Sequence, residues 1–171
     1  MQRRIFLVST VSVTTLTAAS LGGCGFALRK APDFAFSTLH TSLAETSPLG
    51  LELRRSLEAT GKVKVITDQR QLAEAQVVLE ALLDQREKVV LSLNATGQVR
   101  EFQLRLRFRF RLRTLEGKEL IPASEIALQR DISFNESAVL AKEAEEALLY
   151  RDMQSDVVQQ ILRRLAAVRQ L

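Results

Sequence analysis

The stretch Glu101 to Leu115 reads EFQLRLRFRFRLRTL, and it alternates two chemistries almost without interruption. Phe102, Leu104, Leu106, Phe108, Phe110 and Leu112 hold the even positions, while Arg105, Arg107, Arg109, Arg111 and Arg113 hold the odd ones. Side chains of an extended strand point alternately to opposite faces, so this spacing predicts a β-strand with an apolar face and a guanidinium face. Arginines two residues apart on one face stand about 7 Å from each other, at about 3.4 Å of rise per residue. That is inside the roughly 8 Å Debye length of physiological salt, so they repel unless acidic neighbours answer them.

Strand-like patterns continue on either side. One long strand is expected over roughly 76–93, joined to a second over 98–115 by the turn residues Asn94-Ala95-Thr96-Gly97. A third, from Glu119 to Ser133, follows Glu116-Gly117-Lys118. Pro122 has no amide proton to donate to a ladder, so this last strand is expected to be an edge or bulged there. A hairpin pairing Leu93 with Gln98 places Arg107 opposite Asp84 and Arg111 opposite Glu80. A second pairing of Leu115 with Glu119 sets Arg109 against Glu125. In that register Arg105 and Arg113 have no acidic partner, and the face keeps a surplus of positive charge.

Toward the N-terminus, a short strand is expected around Phe36 to Thr41. Ser47-Pro48 is a helix-start signal, since a serine side chain caps free amides and proline tolerates the first helical position. Leu49, Leu53 and Leu57 then form one apolar stripe that Gly61 ends. Val63 and Val65 alternate with Lys62 and Lys64 as another short strand. From Ser137 to Val168 there is neither glycine nor proline, and Val157, Ile161, Leu165 and Val168 keep helical spacing. Together these elements predict an α+β fold: a mixed, mostly antiparallel sheet of four to five strands with two helices packed on one face and the other face open.

The N-terminus carries a different signal. Arg3 and Arg4 precede the uncharged segment Ile5 to Leu21, and Leu21-Gly22-Gly23 precede Cys24, the single cysteine of the chain. This is the pattern of a lipoprotein signal peptide, with small residues beside the cleaved bond. A thiolate is the nucleophile that accepts a diacylglycerol group, so Cys24 is the expected lipidation site, the alternative being a free cysteine that ends a signal peptide. The expected organisation is therefore a signal peptide over residues 1–23, a lipidated tether over 24–34 and one α+β domain over 35–171. Acyl chains at about 0.8 kcal/mol per buried methylene anchor such a chain to a bilayer without a membrane-spanning helix. Arg3-Arg4-Ile5-Phe6-Leu7 also resembles a twin-arginine export signal, which leaves two export routes open. Gly25 stands where many lipoproteins held at the inner membrane carry Asp, which favours the periplasmic side of the outer membrane.

The remaining composition excludes more than it suggests. The chain has 24 Lys and Arg against 20 Asp and Glu, and two of the basic residues are Arg3 and Arg4, so the basic excess gives no warrant for a nucleic-acid partner. The phenylalanines of the arginine strand point away from its charged face, which leaves no stacking platform for bases. One histidine, His40, and one cysteine cannot build a conventional zinc site or a catalytic triad. No enzyme and no cofactor is expected. His40 reads as an ordinary polar residue near a strand end, and Glu143, Glu145 and Glu146 as the solvated face of a helix. The arginine face has two readings, a soluble strand wearing charge on its wet side or a surface that binds an anion or a partner through forked guanidinium hydrogen bonds.

The run Cys24-Gly25-Phe26-Ala27-Leu28-Arg29, the hairpin Thr96-Gly97-Gln98-Val99-Arg100-Glu101-Phe102-Gln103, and Leu140-Ala141-Lys142-Glu143 through Glu146, Met153, Asp156, Gln160, Leu162, Arg163 and Leu165 resemble the LptE family of lipopolysaccharide-assembly lipoproteins. The likeness spans the mature chain in the element order β-α-β-β-β-α. It departs at Ala27 and at the hairpin tip, which lacks a basic residue found in some relatives. What the resemblance implies is a non-enzymatic subunit that plugs the lumen of the outer-membrane barrel LptD and assists delivery of lipopolysaccharide to the cell surface. The residues available for lipopolysaccharide or partner contact are then Arg105, Arg107, Arg109, Arg111, Arg113 and Lys142. The competing expectation is a stand-alone lipid-binding lipoprotein facing the periplasm, which would need a concave apolar cavity.

Overall fold

The computed structural model describes residues 32–171. The chain runs through β1 (Thr38–Thr41), α1 (Pro48–Glu58), β2 (Lys64–Ile66), a 3-10 helix (Gln69–Glu74), β3 (Val77–Leu93), β4 (Val99–Thr114), β5 (Glu119–Ser133), a single 3-10 turn (Glu136–Ala138) and α2 (Val139–Ala167). The five strands form one sheet in the order β2-β1-β3-β4-β5. β1 is parallel to both β2 and β3, and the long strands β3, β4 and β5 are antiparallel neighbours. This is the α+β fold expected, and its mixed sheet has five strands.

Local chemistry sets the element ends. The Ser47 hydroxyl accepts from the Gly50 amide at 3.3 Å and Pro48 occupies the first turn of α1. At the β3–β4 tip the Asn94 side chain accepts from the amides of Thr96 and Gln98 at 3.0 and 2.9 Å. Gly97 follows at φ 83°, a left-handed conformation that an L side chain rarely adopts.

The even residues of β4 are the middle of the core. Leu104, Leu106, Phe108, Phe110 and Leu112 are wholly buried, and Met153, Val157, Val158, Ile161 and Leu165 of α2 and Leu49, Leu53 and Leu57 of α1 complete the same cluster. Each such side chain is worth about 1.5–3 kcal/mol on removal from water. Burying that row fixes the opposite side of β4 as the arginine side. A polar hub then locks the helices to the sheet. Gln154 of α2 donates to Glu52 of α1 at 2.6 Å and to the Pro48 carbonyl at 3.2 Å, while Arg86 of β3 donates to the Gln154 oxygen at 2.6 Å. The Tyr150 hydroxyl donates to the Glu87 carbonyl at 2.6 Å.

Two of the register shifts in these ladders decide what faces the arginines. In β3 the register steps from Ala81 opposite Phe110 to Leu83 opposite Arg109, so Leu82 is an extra residue. Beyond it Asp84, Arg86 and Lys88 share the helix side of the sheet with Phe108, Leu106 and Leu104. In β5 the register passes from Ser124 opposite Phe110 to Ile121 opposite Leu112, leaving Pro122 and Ala123 unpaired. β5 is also an edge strand, so both expectations for Pro122 are met.

The face opposite the helices is not open along its whole width. His40 pairs in register with Ile66 on one side and Val78 on the other, and all three are buried. The chain must cross β1 to pass from β2 to β3, and a right-handed connection carries residues 67–76 over the face opposite α1. His40 is therefore a buried residue of an inner strand. Neither ring nitrogen has a hydrogen-bond partner among the described residues. Burial pushes its imidazole below the ordinary histidine value. Protonation thus favours the unfolded chain, and stability present above about pH 6.5 is lost as pH falls toward the lower folded-state value. Thermal melts taken between about pH 7 and 5 are expected to show this decline, and His40→Leu should flatten that part of the profile while leaving the domain folded.

Candidate functional site

The arginine strand lies between β3 and β5, and its odd residues face outward as the alternation requires. Arg111 and Arg113 share one carboxylate: their Nε atoms reach the two oxygens of Glu80 at 2.5 and 2.6 Å. Arg107 forks onto Glu125 of β5, Nε to Oε1 at 2.8 Å and Nη2 to Oε2 at 3.3 Å. The Arg105 Nε donates to the Gln103 side chain at 2.8 Å. Arg109 is opposite Glu125 in register, but that carboxylate is engaged by Arg107 on the diagonal. Hydrogen bonds from Arg113 first, then Arg111, hold the Glu80 carboxyl below its usual range, against the opposing effect of burial. The Arg107 hydrogen bond does the same for Glu125.

Two expected pairings are corrected here. Arg107 does not face Asp84, because the Leu82 bulge turns Asp84 to the helix side and sets Gln85 opposite Arg107. Arg113 does not lack a partner, since it shares Glu80 and also lies in register with Glu119. Arg111 against Glu80 and Arg109 against Glu125 have the register expected. Of the five arginines of this face, Arg105 and Arg109 make no salt bridge among the described residues.

Further acids that the sequence reading did not assign to this face are present on it. Glu87 lies opposite Arg105, Asp131 accepts from Gln103 at 3.0 Å, and Glu101 accepts from Ser92 at 2.8 Å. With Glu80, Glu119 and Glu125 these make six carboxylates against five arginines. The face is a charge-balanced grid of donors and acceptors, and the expected positive surplus is absent. The signal was available in β5, where the expected register already sets Glu125 opposite Arg109 and Asp131 opposite Gln103, while bringing Glu119 opposite Arg113 needed the register shifts near Pro122.

Lys142 is not part of this grid. It stands in the first turn of α2, on the other side of the sheet, where its Nζ donates to Ser133 at 3.0 Å and to Glu145 at 2.8 Å. Glu146 pairs with Lys88 at 2.6 Å, so two of the three helix carboxylates are in ion pairs. Cys24 and the signal segment lie outside the described residues. Among the described residues no three His, Cys, Asp or Glu side chains gather as a metal site, and no helix is long and apolar enough to cross a membrane.

A mixed sheet with both helices on one side and a polar grid on the other defines an α+β domain, and solved structures show the same fold. The solution structure of uncharacterized lipoprotein B from Nitrosomonas europaea is 35% identical with a TM-score of 0.70, covering 84% of this chain and 91% of that one. The crystal structure of rare lipoprotein B from Shewanella oneidensis is 26% identical with a TM-score of 0.63, over 77% and 95%. Residues 36–165 match the family model LptE, lipopolysaccharide-assembly, and the chain belongs to the LptE family. The LPS-assembly lipoprotein LptE of Pectobacterium atrosepticum is 26% identical over 174 residues, 98% of this chain and 88% of the relative.

The grid separates structural from spare arginines. Glu80→Gln leaves two guanidiniums without their shared carboxylate, so it should cost about 1–3 kcal/mol in denaturant unfolding. The loss should vanish in acid, because the Glu80 contribution is present above its ordinary value of 4.5 and disappears as pH falls through the lowered folded-state value. Replacing Arg105 and Arg109 together by Gln should change stability by less than about 1 kcal/mol.

Proposed function

We propose that this chain is an outer-membrane lipoprotein, anchored on the periplasmic side through acylated Cys24, whose domain over residues 35–171 plugs the LptD barrel and assists delivery of lipopolysaccharide to the cell surface. It acts by binding and shape, without catalysis or a cofactor. The observation that carries the reading is the balanced grid on β3, β4 and β5. A water-filled barrel interior is lined by polar groups. A plug for it needs a surface rich in hydrogen-bonding groups of both signs, and the grid supplies one, part of its charge being answered within it by Glu80 and Glu125. Family membership, with the lipopolysaccharide-assembly description attached to it, supports the same reading.

Within the grid, Arg107, Arg111 and Arg113 are committed to Glu125 and Glu80. Arg105 and Arg109 keep free guanidinium donors for LptD or for phosphate groups of lipopolysaccharide. Lys142, on the helix side, is a separate cation for the anionic ligand. The domain side of the tether is fastened by Asp33, which pairs with Lys62 at 2.9 Å, and by Phe34 packed on the core.

Affinity purification from detergent-solubilised outer membranes should recover LptD with this chain. Arg105→Gln combined with Arg109→Gln should reduce the recovered LptD while the melting temperature holds, and the deficit should shrink as salt is raised. Undiminished recovery would remove these arginines from the interface. Mass spectrometry of the mature N-terminus should find an acylated Cys24, and a free thiol there would end the lipid-anchor reading.

A further inference from the structure

The cover over His40 is thin. In the crossover of residues 67–76 the six-residue 3-10 helix has no buried residue, Leu72 is half-buried and Ala75 is buried. His40, Ile66 and Val78 are all buried on this side of the sheet, yet none of them belongs to the main core on the helix side. The crossover is fastened chiefly at its ends. The Thr67 hydroxyl donates to Glu45 at 2.6 Å, the Gln76 amide donates to the Thr38 hydroxyl at 3.0 Å, and the Gln76 side chain accepts from the Ser37 amide at 2.7 Å. Between these points its backbone amides bond locally, Arg70 and Gln71 to Asp68 and Ala75 to Leu72. A segment with so little buried apolar surface opens for far less free energy than the whole domain.

His40 makes closure conditional. A neutral imidazole carries one donor and one acceptor, neither is partnered among the described residues, and water would serve both once the cover lifts. An imidazolium adds a charge, and the charged groups on the elements around it are already engaged. Lys64 of β2 pairs with Glu74 of the crossover at 3.8 Å, and Asp68 pairs with Arg70 at 2.9 Å. Glu80 of β3 holds Arg111 and Arg113 of β4, and Glu45, after β1, accepts from Thr67. An unanswered buried cation costs far more than an unanswered neutral ring, so protonation acts against the covered state.

We infer that residues 67–76 are a pH-sensitive strap, which lifts off β1 when His40 is protonated while the helices and the β3–β4–β5 sheet stay folded. Lifting uncovers Ile66 and Val78, the latter in register with Arg113 on the outer face. The strap is a property of the fold and does not depend on the assembly role. With the strap lifted, His40 titrates near its ordinary value of about 6.5, so the lifted population should grow by up to roughly tenfold between about pH 7.5 and 5.5.

Cys24 is the single cysteine, so in the full chain carrying Cys24→Ala an introduced thiol reports alone. Val78→Cys places it beneath the strap and Val157→Cys places it in the main core. Maleimide labelling is measured at both pH values, each rate divided by that of a free cysteine peptide to remove the thiolate's own pH dependence. Val78→Cys should label much faster than Val157→Cys, and its rate should barely respond to low urea, whereas labelling at Val157→Cys should climb steeply because it requires global unfolding. Acidification should raise labelling at Val78→Cys by up to roughly tenfold. His40→Leu and His40→Gln, neither of which can take a proton, should each abolish that rise. Equal rates and equal urea dependence at the two thiols would show that the domain opens only as a whole and would overturn the strap. So would a rate at Val78→Cys that does not rise in acid, or a rise that survives both His40 replacements.

Discussion

The register of β4 is the constraint on which the rest of the molecule depends. Its even side chains are the centre of the core and its odd side chains are five arginines, so a slip of one residue would drive guanidiniums into the space of Leu104, Leu106, Phe108, Phe110 and Leu112. Isolated charges in such a site cost many kcal/mol, far more than the domain's whole margin of stability. Few strands have their facing so strongly specified. β3 and β5 align against this strand, α2 lies on its apolar side, and the polar grid follows on the other.

The neighbours of β4 fit to it through interruptions. The Leu82 bulge and the unpaired Pro122 and Ala123 fall at nearly the same level, flanking Phe110 to Leu112 on both sides. On the β1 side of that level the sheet is five strands wide and covered by both helices. Beyond it β3 turns Asp84, Arg86 and Lys88 toward α2, and the apolar contact of the core gives way to directed polar contacts: Arg86 with Gln154, Lys88 with Glu146, Tyr150 with the Glu87 carbonyl. The same phase change shapes the helix side at the hairpin end. It brings Lys88 over Phe102 and sets Val90 beside it, where an unbroken alternation would have sent both to the outer face.

The two sides of the sheet thus have separate chemistry. On the outer grid a forked and a shared carboxylate hold Arg107, Arg111 and Arg113, while Arg105 and Arg109 make no salt bridge among the described residues. The inner side at the hairpin end combines apolar Phe102, Ile132 and Phe134 with the ion pairs Lys88–Glu146 and Lys142–Glu145. Lys142 belongs to that second surface, on α2 beside the edge strand β5, where it reaches Ser133.

Much of this was legible in the sequence. Period two in Glu101 to Leu115 fixed the strand and its faces. Ser47-Pro48, Gly61 and the breaker-free run after Ser137 marked the helices, because each is a local preference of backbone or side chain. What tertiary structure decided was non-local. A bulge at Leu82 has no composition of its own, yet it moved Asp84 off the arginine face and gave Arg107 to Glu125. The crossover from β2 to β3 buried His40, which in sequence looks like any polar residue at a strand end. Arg113 acquired Glu80 because a carboxylate with two oxygens can serve two guanidiniums when neighbouring strands bring them together. Alternation along one chain determines which side chains share a face. Only the packing of several chain segments determines which of them meet.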